Sequence, residues 1–287
     1  IHIPHWNVPL CLRKSFVLTV HDLLLLRQPA STKTSTRGFV ARTIKYAAFR
    51  SVIQRAIPKG ERIFVPTAFT ASEVEVLTGV AGEKMIVTGE GLTHFPSSDS
   101  RLCSTSPYLL YVGSAYPHKR LDLLVSAWSK LSSKYSQYDL LIAGEMDVFM
   151  KKIKHQMSNV TRSERIKFLG RVTDAELAGL YKRASLFVFP SSYEGFGLPP
   201  LEALSFGCPV VASNTPCSRE VLPPQGVEWF RDGDEHDILR VLERALGGLS
   251  RLRMEAAATY EWVKKHHDWR ASAKRLLEGY RATIENG

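Results

Sequence analysis

The sequence predicts an α/β fold, a doubly wound parallel sheet with helices on both faces. Three observations predict it. From Tyr108 onward, short apolar runs alternate with stretches of helical spacing, the pattern of successive β-α units. The run Leu186 to Pro190 is apolar at every position, as in a parallel strand buried on both faces. Several runs then end in glycine turns, at Gly113, Gly144-Glu145, Gly170-Arg171 and Gly195-Phe-Gly197. In open α/β sheets, ligands bind at that carboxyl edge.

Composition bounds the rest. At 287 residues the chain has room for two domains of ordinary size. It is 44% hydrophobic and 23% charged, as in soluble globular proteins. Cys11, Cys103, Cys208 and Cys217 show no CxxC pairing, which points to a reduced, cytoplasmic protein and away from a disulfide scaffold or zinc site. No apolar run approaches the ~20 residues of a membrane span. The net charge of +10 suits nucleic acid, an anionic membrane or anionic small substrates. No helix-turn-helix, zinc spacing or aromatic ribonucleoprotein motif accompanies it, so nucleic acid is not an expected partner. The chain opens at Ile1 and not at a methionine, and we expect a preceding segment to be missing.

In order, Ile1–Leu10 is too proline-rich for a helix and reads as a strand end with a loop. Phe16–Val20 is a strand with His21-Asp22 at its carboxyl end. Leu23 to Gly60 carries basic residues and no acidic one, and Arg37–Ile57 within it has helical apolar spacing. Ile63–Val65 is a strand, Thr70–Leu77 a helix, and Met85–Val87 a strand leading to Gly89-Glu-Gly91. Pro96–Pro107 is polar, without periodicity, and reads as a linker. Then come strand Tyr108–Val112, helix Leu121–Leu131, strand Leu140–Ala143, helix Val148–Met157 and strand Ile166–Leu169. Thr173-Asp-Ala-Glu176 is a capping box opening a helix to Arg183. Strand Leu186–Pro190 leads through the glycine loop to helix Leu198–Phe206, whose prolines sit where missing N–H groups cost least. Pro209–Ala212 is a strand, Cys217–Leu222 a short helix and Val227–Phe230 a strand. Helices Glu235–Leu246, Arg251–His266 and Arg270–Ile284 end the chain. No solenoid repeat is present.

The chemistry concentrates around Glu194 and Glu202, eight positions apart. Alone, Glu202 is a helix surface residue and Glu194 a carboxylate favoured by a helix dipole. Bracketing GFGLPP after a strand, they suit a ligand. A carboxylate on the second helical turn can accept both hydroxyls of a ribose, and the amides near Gly197 and Leu198 suit a pyrophosphate. Gly113–Arg120, GSAYPHKR, follows a strand but lacks the dinucleotide and Walker fingerprints. Lys119 there suits a departing phosphate, and a lysine at a helix start is otherwise disfavoured. His21 at a strand end is either a packed core histidine or a ligand. Asp232-Gly-Asp234 looks like a metal-binding DxD motif, but Asp234 reads better as an N-cap, and we expect no metal.

Together these residues resemble the family-4 retaining glycosyltransferases. The resemblance covers nearly the whole chain. It is most specific in YEGFGLPPLEALSFGCPVVAS, and extends to YVGSAYPHKRLDLL, LIAGE, FLGRVTDAELAGLYKRASLFVFPS, IHIPHWNVPL, FVLTVHDLLLL and FVPTAFTASEV. It implies the GT-B fold, with a complete C-terminal Rossmann-like domain at 101–268, a partial N-terminal one at 1–100, and the helix 269–287 packed back on the latter. It also implies roles. Glu194, Lys119 and His21 would be catalytic. Glu202 would bind the ribose of a nucleotide-diphosphate sugar, Glu194, Gly195 and Phe196 the sugar, and Gly197 and Leu198 its phosphates. Gly113 and Ser114 would line the lysine loop, and Arg171, Val172 and Glu145 the base. The family often carries an arginine where this chain has Ser114, and Arg120 is the nearby candidate to replace it.

The resemblance implies a hexosyltransferase without cofactor or metal, whose mechanism is front-side attack. The HIPHWNVP and TVHDLLLL segments look most like mannosyl- or rhamnosyl-type members, which makes GDP-mannose the first expected donor and a glycan or lipid-linked molecule the acceptor. A nucleotide-sugar epimerase on the same fold and a non-catalytic donor-binding fragment remain alternatives. The basic helix 37–57 either packs as a solvated helix or lies on anionic lipid, which would place the protein at the inner face of the membrane.

Overall fold

The computed structural model describes residues 1–9, 11–29, 39–96, 106–157 and 163–285. Most of the expected linker therefore falls outside the described residues. The chain divides into two compact units: Ile1–Gly91 with Glu194–Phe196 and His267–Gly287, and Leu92–Tyr193 with Gly197–His266.

The first unit is built on β1 (His2–Ile3), β2 (Val17–Thr19), β3 (Ile63–Val65) and β4 (Met85–Val87). They form a parallel sheet in the order β1-β2-β3-β4. β3 is β-branched and aromatic, suiting a strand, and all three of its residues are buried. Three helices lie between the strands: α1 (Leu24–Arg27), α2 (Phe39–Ala56) and α3 (Ala68–Thr78). α1 was not expected, because the run LLLLR has no helical periodicity. α2 stops one residue short of the expected end. Pro58 follows, and Ile57–Lys59 tighten into a 3-10 turn with Ile57 buried. α3 starts two residues earlier than expected because Thr67 caps it, accepting the Thr70 N–H at 3.0 Å. Leu18, Ile53, Ile57, Ile63, Val65 and Val74 form the core of this unit.

The second unit holds β5 (Tyr108–Val112), β6 (Asp139–Ala143), β7 (Ile166–Gly170), β8 (Leu186–Phe189), β9 (Val210–Ser213) and β10 (Val227–Phe230). All pair in parallel, in the order β10-β9-β8-β5-β6-β7. The chain winds outward from β5 to β7, then returns to β8 and winds the other way. The direction therefore reverses between β5 and β8, the topological switch point of a doubly wound sheet. The helices are α4 (Leu121–Leu131), α5 (Val148–Met157), α6 (Asp174–Arg183), α7 (Leu198–Ser205), α8 (Pro216–Val221), α9 (Glu235–Gly247), α10 (Leu249–Ala258) and α11 (Tyr260–His266).

Local chemistry explains their limits. α6 opens with a full capping box, Glu176 N–H to Thr173 Oγ1 at 3.3 Å and Thr173 N–H to Glu176 Oε2 at 2.8 Å. α9 begins at Asp234, whose carboxylate accepts the Asp237 N–H at 3.0 Å. Its buried face, Ile238, Val241, Leu242, Ala245 and Leu246, repeats at helical spacing. The core joins it to Leu121, Leu124 and Trp128 of α4. Each such fully buried leucine contributes about 1.5–3 kcal/mol. The stretch 251–266, expected as one helix, breaks at Thr259. That residue is buried, and its hydroxyl returns to the Ala256 carbonyl at 2.7 Å.

α12 (Trp269–Glu285) belongs to the first unit. Tyr280 Oη hydrogen-bonds His2 Nδ1 at 2.6 Å, and Arg275 Nη1 donates to the Thr88 carbonyl at 2.8 Å. The Tyr280 ring meets Phe64 of β3 edge to face.

Candidate functional site

In the second unit, the carboxyl ends of three neighbouring strands are stitched at the backbone. Gly113 N–H donates to the Ala143 carbonyl and Gly144 N–H to the Gly170 carbonyl, both at 3.0 Å. The sequence residues that follow these strands therefore share one edge: Gly113-Ser114 after β5, Glu145 after β6, and Arg171-Val172 after β7. Glu145 and Arg171 are exposed there.

The loops after β5 and β8 flank the switch point and are tied together. Ser192 gives its N–H and its hydroxyl to the His118 carbonyl, at 2.8 and 3.1 Å. This fixes the 3-10 turn Pro117–Lys119 against the segment leading to α7. Lys119 is half-buried. Arg120 after it is left-handed, φ 51° and ψ 33°, the sole non-glycine with positive φ among the described residues. Its guanidinium lies beside Gly233, Nη2 2.8 Å from where a Cβ would sit. It therefore sits at the β10 end of the edge, and among the described residues it makes no hydrogen bond or ion pair.

α7 begins without a side-chain cap. Gly197 takes the N-cap position in a left-handed conformation, φ 98°, which only glycine adopts readily. Pro199 and Pro200 follow Leu198, so the first helical turn carries few amide donors besides Leu198 itself. The amino end keeps its positive dipole end uncapped by any side chain.

Glu202 lies one turn further and is 7% exposed. Tyr181 Oη, fully buried on α6, donates to its Oε2 at 2.9 Å, and the Thr93 hydroxyl donates to its Oε1. Among the described residues it has no cationic partner. Burial pushes the Glu202 carboxyl above its ordinary value. The two hydroxyls pull it back, and Asp174 adds to the rise. The Tyr181 phenol is pushed well up by burial and by the Glu202 charge. Sequence reasoning missed both hydroxyl partners. A tyrosine at an inward position of α6 was the available signal, since a buried phenol needs an acceptor.

Glu194, Gly195 and Phe196 group instead with the first unit, beside His21. A Cβ on Gly195 would overlap the His21 carbonyl oxygen and lie 2.9 Å from its carbon and 3.2 Å from Asp22 Cβ, so only glycine allows this approach. The Gly195 carbonyl accepts from the buried Thr67 and Thr70 hydroxyls at 2.9 and 3.2 Å. Phe196 is buried, edge to face with His267 at 5.5 Å. His21 follows β2, and its Nδ1 lies 3.7 Å from Glu90 Oε1. That carboxylate raises the imidazole pKa above its ordinary value, against desolvation. The structure thus gathers His21, Glu194, Gly195 and Phe196 in one unit. Lys119, Glu202, Gly197, Leu198, Gly113, Ser114, Glu145, Arg171 and Val172 lie in the other.

Among the described residues no three His, Cys, Asp or Glu side chains converge as metal ligands. Asp234, half of the DxD sequence, is engaged as the cap of α9. No described helix is long and apolar enough to cross a membrane.

The chain is 29% identical over 257 residues to the serotype-specific mannosyltransferase WbdA of Escherichia coli, covering 83% of this chain and 31% of that protein. It is 25% identical over 275 residues to the GDP-mannose:cellobiosyl-diphosphopolyprenol alpha-mannosyltransferase of Komagataeibacter xylinus, covering 89% and 69%. The chain thus spans about a third of the length of WbdA. Among solved structures, sucrose-phosphate synthase from Thermosynechococcus elongatus superimposes with a TM-score of 0.79 at 21% identity, covering 100% of this chain and 74% of that one. The fold is therefore of the expected GT-B type. The sequence model described as glycosyl transferases group 1 matches residues 97–258, more than half of the chain, which belongs to that family.

Proposed function

We propose that this chain is part of a retaining hexosyltransferase that takes mannose from GDP-mannose and transfers it to a glycan or lipid-linked acceptor. The observation that carries the reading is Glu202, a buried carboxylate one turn inside the uncapped start of α7, at the switch point of a doubly wound sheet. The ribose binds Glu202, the diphosphate meets the Gly197 and Leu198 amides, and the base lies toward Arg171, Val172 and Glu145. Gly113 and Ser114 border the phosphates. Glu194, Gly195, Phe196 and His21 are assigned to the sugar.

In the reaction the bond from the sugar anomeric carbon to the diphosphate breaks, and the acceptor oxygen bonds to that carbon on the same face. The acceptor proton passes to the departing diphosphate. Lys119 offsets the charge that grows on the leaving group, the type of electrostatic help that dominates many such barriers. No resident cofactor or metal enters this scheme. The donor and acceptor classes are supported by the names of the two mannosyltransferases, one of which acts from GDP-mannose on a diphosphopolyprenol-linked sugar.

A cytoplasmic site at the inner membrane face fits such an acceptor. On α2, Ile44 is 64% exposed, and Arg50 and Arg55 are exposed as well, a mix that suits anionic lipid. Co-sedimentation with vesicles that is indifferent to anionic lipid content contradicts this part.

An NMR time course of the full-length protein with GDP-mannose, UDP-glucose and a mannoside acceptor tests the whole reading. It predicts loss of GDP-mannose, release of GDP and a new axial anomeric linkage. No turnover of any donor, or a linkage of inverted configuration, overturns it.

A further inference from the structure

Glu202 is held in an unusual way for a buried carboxylate. Such groups are ordinarily paired with a cation. Here, among the described residues, hydroxyls alone reach its carboxylate, one on each oxygen. Tyr181 is 0% exposed and takes Oε2 from the interior of the unit. Thr93 is exposed and takes Oε1 from the solvent side. Thr93 is itself fixed by its neighbours. Two residues on, the Phe95 ring meets Tyr181 edge to face at 6.0 Å and Phe206 at 5.4 Å. Tyr181 and Phe206 stack with each other as well. One aromatic cluster thereby aligns both hydroxyl donors on one carboxylate.

A ligand hydroxyl coming from solvent is expected at Oε1, because Oε2 is taken by the buried Tyr181 hydroxyl. An ionised carboxylate has about four lone-pair sites, so Oε1 can keep Thr93 and accept a ribose hydroxyl. We propose that Tyr181 and Thr93 are positioning residues for nucleotide binding. They favour the charged form of Glu202 and aim its outer oxygen at the ribose. This inference rests on the ribose role proposed above for Glu202.

The groups around the carboxylate give the direction of the effect. Asp174 at the start of α6 opposes ionisation, while the hydroxyls of Tyr181 and Thr93 favour it. His94 adjoins Thr93 in sequence. Behind Tyr181 lies Cys208, whose thiol burial raises to about 12 and which Arg253 influences in turn. None of these supplies a hydrogen-bonded cation to Glu202. Removing either hydroxyl leaves a less stabilised anion, so protonation occurs at higher pH, and the protonated acid accepts ribose hydroxyls less well.

The test is calorimetric binding of GDP and 2′,3′-dideoxy-GDP, and of the uridine pair, to the 287-residue chain between pH 5 and 8. Tyr181→Phe and Thr93→Val are compared with wild type, and thermal denaturation verifies folding. Thr93→Val alters an exposed side chain and keeps its shape. The proposal expects the acid limb of ribonucleotide affinity to move up by about one pH unit in each variant, with Thr93→Ser restoring it. Dideoxy-nucleotide affinity is expected to stay within twofold of wild type at every pH. A purely structural role for Tyr181 would weaken both nucleotides equally, and that result overturns the proposal. Wild type that prefers the ribonucleotide, with an acid limb unmoved in both variants, also overturns it and leaves the ribose reading standing. Wild type that binds the ribo- and dideoxy forms equally overturns both.

Discussion

Gly195→Ala is the sharpest single change the structure offers at the sugar side. The new Cβ would overlap the His21 carbonyl oxygen, with the carbonyl carbon 2.9 Å away. Both belong to backbone, so no flexible side chain can yield. Overpacking of this type costs about 1–3 kcal/mol. The tip is anchored by two hydrogen bonds, from Thr67 and Thr70, worth about 1 kcal/mol each. The buried Phe196 side chain adds about 1.5–3 kcal/mol. The anchor exceeds the strain, so the tip stays docked and is displaced by about 1 Å, enough to cost on the order of 10²-fold in rate. Glu202, Gly197 and Leu198 lie in the other unit, so nucleotide affinity changes less than threefold. The assay pairs chromatographic measurement of GDP released from GDP-mannose with calorimetry of GDP binding. A variant whose kcat/KM stays within threefold of wild type refutes the claim that Gly195 sets the position of Glu194 and Phe196.

Other outcomes follow from the same contacts. Glu202→Gln stabilises the ligand-free chain at neutral pH by about 1 kcal/mol while weakening nucleotide binding. Because burial raises the Glu202 pKa, stability falls as pH rises from the ordinary carboxylate range through the folded value. Melting curves at pH 4.5 and 7.5 check this, since the gain must shrink at the lower pH. His21 titrates above 6.5 because of Glu90, so its stabilising pairing is complete below 6.5 and is lost as pH rises through the folded value. NMR titration of the imidazole in Glu90→Gln must show a lower pKa; an unchanged value excludes the pairing. Lys119→Met lowers kcat by about 10²–10³-fold, with a smaller effect on GDP affinity, as steady-state kinetics and calorimetry together would show.

The second unit was legible because its signals are local. β8 is apolar throughout, Thr173 and Glu176 spell a capping box, Asp234 stands before a helical apolar repeat, and glycines punctuate the strand ends. The strand order was not legible, because pairing of β8 with β5 is a long-range choice that no window contains. The break at Thr259 was equally hidden, with no glycine or proline to mark it. At the site, the positions of Glu202, Gly197 and Lys119 could be read from the strand-loop-helix pattern. Their partners could not. Tyr181 and Thr93 lie far from Glu202 in sequence, as Glu90 does from His21, and their hydrogen bonds exist only once the sheets are assembled. The attachment of Glu194–Phe196 to Thr67, Thr70 and His21 was hidden for the same reason. Composition alone could not show that Gly195 is there to let two backbones touch.

The most direct test of the account is a crystal structure of the chain with GDP bound. The expected result is a ribose hydroxyl within hydrogen-bonding distance of Glu202 Oε1, with the diphosphate on the Gly197 and Leu198 amides. A nucleotide bound elsewhere, or with its ribose turned away from Glu202, contradicts it.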